Sequence, residues 1–204
     1  MDLVINDSKV LNALVLDTLK RSLGEEDAER IHGMLILRND KTSSLVHALG
    51  DILTRFGYHM KIKDVFERLT DALSGRIEVK VLPEHVELPK MSSQSVFIEV
   101  MNKFDIPLIF EVFLEDRENF MQVIYDKRED AFFNTLSVEN IIDSGSIGKF
   151  KFRLGRNDTD KSSGTTLFVV VRSKDIEGLN WVSKLKVLFI EPEQVVKDDT
   201  NQSA

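Results

Sequence analysis

The sequence predicts an α+β protein: a small helical bundle over residues 1–75, an antiparallel β-sandwich of about seven strands over 76–190, and a polar, acidic tail over 191–204. Three observations predict it. Apolar residues recur at three-to-four spacing before Gly75, the period of one helix face. They recur at every second position after it, the period of a half-buried strand. Glycines punctuate the first half and prolines the second.

Four segments carry the helical period. "NDSKVLNALVLDTLKRSLG" offers Asn6 or Asp7 as a cap, a face of Leu11, Leu14 or Val15, Thr18 and Leu19, and Gly24 as its stop. "EEDAERIHGMLILRND" opens with acids that suit the positive end of a helix dipole, and Ala28, Ile31 and Leu35 share a face. Gly33 weakens this helix by roughly 1 kcal/mol relative to alanine, and "MLIL" also reads as a short strand. "TSSLVHALGDILTRFG" has Ser43 or Ser44 as cap, a stripe of Leu45, Leu49, Ile52, Leu53 and Phe56, and Gly57 as terminator. "KDVFERLTDALSG" repeats the scheme with Val65, Phe66, Leu69 and Leu73. Each helix has one apolar stripe that must be buried against the others.

The strands follow. "RIEVKVL" sets Ile77, Val79 and Val81 against charged neighbours. "SVFIEVM", "LIFEVFLE" and "NFMQVIY" come next. "GKFKFRL" places Phe150, Phe152 and Leu154 on one face and Lys149, Lys151 and Arg153 on the other. "TTLFVVVRS" is apolar on both faces, as a central strand is, and "WVSKLKVLFI" turns Lys184 and Lys186 away from the core. Such strands need a second sheet to cover their apolar face, which predicts a sandwich.

The run from Val79 to Asp116 resembles the opening of immunoglobulin-like modules of the CARDB kind. "VLPEHVELP", "SVFIEVMN" ending at Asn102, Pro107, and "LIFEVFLED" carry the likeness, and "IIDSGSIGKFKFRL" is similar to the glycine-marked turn of those modules. The resemblance covers roughly residues 76–190. It implies an immunoglobulin-like fold with a binding or spacer role and brings no catalytic residues. The order of helices, sandwich and polar tail also resembles small heat-shock proteins in outline. Their Gly-x-Leu strand signature is missing, since Gly178-Leu179 reads as part of a loop.

Composition narrows the chemistry. The chain has 204 residues, a formal charge of −7 and no cysteine, so disulfides, thiolate zinc sites and cysteine nucleophiles are excluded. The N-terminal stretch lacks the pattern of a signal peptide and no apolar run is long enough to span a membrane, so a cytoplasmic location is expected. No phosphate loop, dinucleotide fingerprint or nucleophile elbow is present. His32, His47, His59 and His85 are scattered, with no i, i+4 pair to hold a metal. "NDTDKSSG" fails as a calcium loop: counted from Asp158, the sixth position is Ser163 and the twelfth Val169. The acids of "LEDRE" and "DKRED" read as solvated loop residues.

No catalytic, cofactor-binding or metal-binding residue is assigned. The expected function is that of a non-enzymatic protein–protein interaction, scaffold or adaptor protein, with self-association through the helices. Phe132, Phe133 and Trp181 are the expected contact residues, because an aromatic left at a surface is an interface anchor. One alternative is a nucleic-acid-binding regulator using a helix-turn-helix silhouette in 43–75, near Arg55, Lys61, Lys63 and Arg68. Ten basic against twelve acidic side chains in residues 1–75 weigh against it. Further alternatives are a small heat-shock-like chaperone and an enzyme with its site between the two halves.

Overall fold

The computed structural model describes residues 7–38, 44–116, 124–126, 131–133, 135–156 and 163–191. Four helices come first: α1 Lys9–Leu23, α2 Glu25–Arg38, α3 Leu45–Arg55 and α4 Ile62–Ser74, with a short 3-10 turn at His59–Lys61 before α4. The cap of α1 is Ser8, not Asn6 or Asp7: its side chain accepts the Leu11 N–H. Gly24 ends α1 at φ 92°, a conformation that favours glycine. The buried face is Leu11, Val15, Thr18 and Leu19, so Val15 rather than Leu14 completes the stripe. "MLIL" is helical, within α2, which runs through Gly33 and buries Ala28, Ile31, His32 and Leu35. Ser44 caps α3, and Gly57 follows that helix at φ 79°.

Ten described strands follow, against the seven expected: β1 Ile77–Leu82, β2 His85–Pro89, β3 Ser93–Asn102, β4 Leu108–Asp116, β5 Ile124–Asp126, β6 Ala131–Phe133, β7 Thr135–Ile142, β8 Ile147–Gly155, β9 Gly164–Ser173 and β10 Asn180–Ile190. They form two five-stranded sheets, ordered β1-β3-β8-β5-β6 and β2-β10-β9-β4-β7. The protein is thus mixed α+β with a β-sandwich-like region. All described pairings are antiparallel except β10 with β2, which is parallel. The extra strands are β2, β6 and β7, which form in segments where no strand was expected. "RIEVKVLPEHVELP" becomes β1 in one sheet and β2 in the other, with a cis Leu82–Pro83 bond between them. β9 is central, between β10 and β4, as its two-sided apolar character predicts. Gly145 and Ser146 of "GSIG" lie in the β7–β8 turn, with Gly145 at φ 68°, and its Ile147 and Gly148 open β8.

Helices and sheets share one continuous apolar cluster, from Leu11 and Leu69 to Ile176 and Leu185. Polar links fasten the junction. Asp105, in the β3–β4 loop, accepts the Lys9 N–H at 2.9 Å, the Val10 N–H at 3.4 Å and the Ser8 hydroxyl. A carboxylate thus sits on the first turn of α1, where the helix dipole favours it. Arg76 O accepts the Lys103 N–H at 3.0 Å, and the Ser74 hydroxyl donates to Asn180 O at 3.2 Å.

Asn102 ties the sheet end together. It is fully buried. Its Nδ2 donates to Ile106 O at 2.8 Å and Ile142 O at 2.9 Å, and its Oδ1 accepts the Phe104 N–H at 3.0 Å. Its backbone N–H donates to Ser146 O, and its carbonyl accepts the Gly145 N–H. One side chain therefore satisfies groups from the β3–β4 loop and the end of β7, which a buried apolar residue cannot do.

Candidate functional site

Trp181 lies at the start of β10, half-buried and packed against the core. Along β10 the inward positions are Trp181, Ser183, Leu185, Val187 and Phe189. The last three are buried and the first two are not. The cause is β2, which pairs with Lys186–Ile190 and stops there. Beyond it the other boundary is β1, whose inward residues Val79 and Val81 are also half-buried. A groove of about 540 Å³ opens between the two strands, lined by Val79, Val81, Trp181 and Ser183, with Lys80, Lys184 and Glu84 among its charged residues.

Phe132 and Phe133 lie elsewhere. They belong to β6, at the edge of the first sheet opposite β1, and pair in register with Tyr125 and Ile124. Their side chains lie outside the described residues. The three expected contact residues therefore do not converge on one patch. The "NDTDKSSG" loop up to Ser162 and the tail from 192 also lie outside the described residues.

A larger cleft of about 830 Å³ separates the N-termini of α1 and α3 from the β9–β10 turn. Its carboxylates are Asp175 and Glu177, and no histidine is among its described lining residues. Asp175 is engaged structurally: its Oδ2 accepts the Ile109 N–H at 2.6 Å. No group of three His, Asp or Glu side chains is placed to hold a metal ion among the described residues. No described helix is long and apolar enough to cross a membrane.

The basic stripe of β8 is largely matched. Lys149 pairs with Glu99 at 2.8 Å, Arg153 donates to the Ser93 hydroxyl at 2.8 Å, and Lys151 lies 5.7 Å from the centre of the Phe97 ring. In the α3–α4 region, Arg68 pairs with Asp64 at 2.9 Å and Lys63 with Glu67 at 3.6 Å. These acids lie one turn from the cations and reduce the charge available to a phosphate backbone.

Several buried polar residues carry no signal in the sequence. Glu111 and Asp116, within "LIFEVFLED", are buried, as is Arg156. Glu111 accepts two bonds from Arg172, its register partner on β9, at 2.7 and 2.8 Å. The Arg172 guanidinium also covers the Phe113 ring at 4.4 Å. Asp116 accepts the Thr165 hydroxyl at 3.2 Å, so the first acids of "LEDRE" end a strand rather than lie in a solvated loop. Nothing in the sequence announced that a cross-strand arginine would cover Glu111. His32 is buried between α1 and α2. Burial pushes its imidazole below the ordinary range, opposed by a hydrogen bond to the Asn12 backbone.

No family model and no curated protein matches the chain. Solved structures share parts of the fold at low similarity. A family 123 glycoside hydrolase from Clostridium perfringens matches with a TM-score of 0.40 at 6% identity, over 57% of this chain and 28% of its own. The human seminal-plasma complex of zinc α2-glycoprotein with prolactin-inducible protein contributes a match of TM-score 0.39 at 8% identity, over 56% and 93%. The PapD-like (ASH) domain 7 of human CEP192 matches with a TM-score of 0.38 at 11% identity, over 59% and 89%. The chain thus spans little more than a quarter of the glycoside hydrolase, and no activity is carried across from any of the three.

Proposed function

We propose that this chain is a non-enzymatic protein-interaction protein, with an immunoglobulin-like sandwich over 76–190 that offers the binding surface and a helical domain over 1–75 that braces it. The immunoglobulin-like reading is supported by the first sandwich strand, which divides between the sheets as β1 and β2. One observation carries the functional reading: Trp181 is half-buried in an open groove between strand edges, where most aromatics of the core are sealed. A large aromatic with a wet flank is an interface anchor, because a partner that covers it gains apolar burial and needs little side-chain ordering.

The test is affinity capture with the purified full chain, followed by identification of retained proteins. Capture of a partner that is lost with Trp181→Ala, while the variant keeps a native fold by circular dichroism, supports the reading. Phe132→Ala/Phe133→Ala is run beside it. Capture unaltered by either variant removes these three residues from the account.

A further inference from the structure

The β1–β10 groove also specifies the shape of what enters it. The β9–β10 register runs without a bulge from Asn180↔Arg172 to Leu188↔Gly164. Backbone groups on a strand alternate sides. The Leu179 carbonyl accepts from Ser173 on β9, and the Phe189 N–H donates to Ser163, so odd-numbered residues address β9. Even-numbered residues face the other way, and the Asn180 carbonyl does so in accepting from Ser74. The N–H and C=O of Val182 and Lys184 therefore point into the groove. β2 begins its pairing only at Lys186, so no described strand lies beside them.

β1 presents a second such edge. Arg76 O faces β3, where it accepts from Lys103, and the β1–β3 register is continuous, so the backbone groups of Val79 and Val81 face away from β3. Below these edges the core is incompletely closed, since Trp181, Val79 and Val81 all remain partly exposed. An edge of unpaired backbone above an unsealed apolar floor is complementary to an extended segment that supplies both strand hydrogen bonds and alternate apolar side chains.

Charge narrows the class. The outward side chains of β10 at this level are Val182, Lys184 and Lys186. Lys80 lies across the groove, 3.5 Å from Glu78, and Glu84 is the acid among the lining residues. In a chain of net charge −7, cations at this edge are complementary to an acidic partner.

We propose that the groove takes an extended acidic peptide of another protein as an added strand on β10, in line with β2. Its inward side chains are aliphatic and rest on Trp181, Val79 and Val81. Its outward side chain beside Lys184 is a carboxylate. This rests on the interaction reading above and deepens it.

The test uses the full chain and three capped octapeptides that alternate valine with glutamate, lysine or serine. Binding is read from backbone amide shifts in NMR. The glutamate peptide is expected to bind and to perturb the Val182 and Lys184 amides. Lys184→Glu weakens it about fivefold and improves the lysine peptide by a similar factor, the scale of a cross-strand charge pair. Val182→Pro abolishes binding, because it removes an N–H that points into the groove and none that β9 uses. Lys184→Glu, at an exposed position, keeps the test decisive if the proline variant does not fold.

The proposal is overturned if the glutamate peptide fails to bind at millimolar concentration or binds Lys184→Glu equally well. It is also overturned if sedimentation shows that a second copy of the chain fills the groove, as a dimer removed by Lys184→Glu. A partner captured undiminished by Val182→Pro overturns the added strand and leaves the interaction reading standing.

Discussion

Replacing Asn102 by alanine removes three hydrogen bonds of a buried side chain at once, two of them fully buried. Two are donated by Nδ2, to Ile106 O and Ile142 O, and one is accepted by Oδ1 from the Phe104 N–H. Each is worth about 1 kcal/mol net, and a buried partner left unsatisfied costs at least as much. Ile142 O sits at the end of a strand and the Phe104 N–H in a tight loop, so water reaches neither easily. The expected loss is about 3 kcal/mol, a large share of the roughly 5–15 kcal/mol that keeps a domain folded. For a chain of this size that lowers the thermal midpoint by roughly 6–12 °C. Urea unfolding of the full chain followed by circular dichroism measures it, with Asn140→Ala, at an exposed β7 position, as the control. The midpoint is expected to fall with little change in slope. A loss below about 1 kcal/mol for Asn102→Ala would refute the claim that this residue is a tie between three segments.

Asp105 makes a pH prediction. Burial pushes its carboxyl up, but the donors from Ser8, its own backbone, Lys9 and Val10 outweigh that and hold it below the ordinary value of 3.8. A carboxyl depressed in the folded state adds stability that is present above its unfolded pKa and is lost as pH falls through the folded one. Asp105→Asn should therefore lower the urea midpoint near neutrality and flatten the decline of stability below about pH 4, read from urea midpoints at a series of pH values. His32 shifts in the same direction for a different cause. Its stabilising, neutral form is fully present above the ordinary 6.5 and is lost as pH falls through the lower folded value. NMR titration of its imidazole should give a midpoint below 6.5. Gly164→Ala should destabilise by about 2 kcal/mol or more, because an added Cβ collides with the Val187 carbonyl and lies 3.3 Å from Leu188 Cα, so β9 and β10 must separate locally. A midpoint equal to that of the parent would contradict the close approach of these two strands.

Local periodicity determined most of the elements. Three-to-four spacing identified the four helices and most of their inward residues, and two-residue alternation identified strands at β1, β3, β4, β8 and β10 and the inward residues of β1 and β8, while β9 was read as a central strand from its two apolar faces. Both are properties of a few neighbouring residues, so they can be read without knowing the rest of the chain. Packing decided the remainder. Val15 rather than Leu14 lies inward on α1, Ser8 rather than Asn6 or Asp7 caps it, and Asp105 reaches that cap from 97 residues away. Only the crossing of "RIEVKVLPEHVELP" from one sheet to the other leaves the first half of β10 without a described strand on its β2 side and Trp181 half-open. The tryptophan was conspicuous in the sequence, but the groove beside it was not. A groove is set by where a distant strand stops, and that depends on a sheet register that no local pattern encodes.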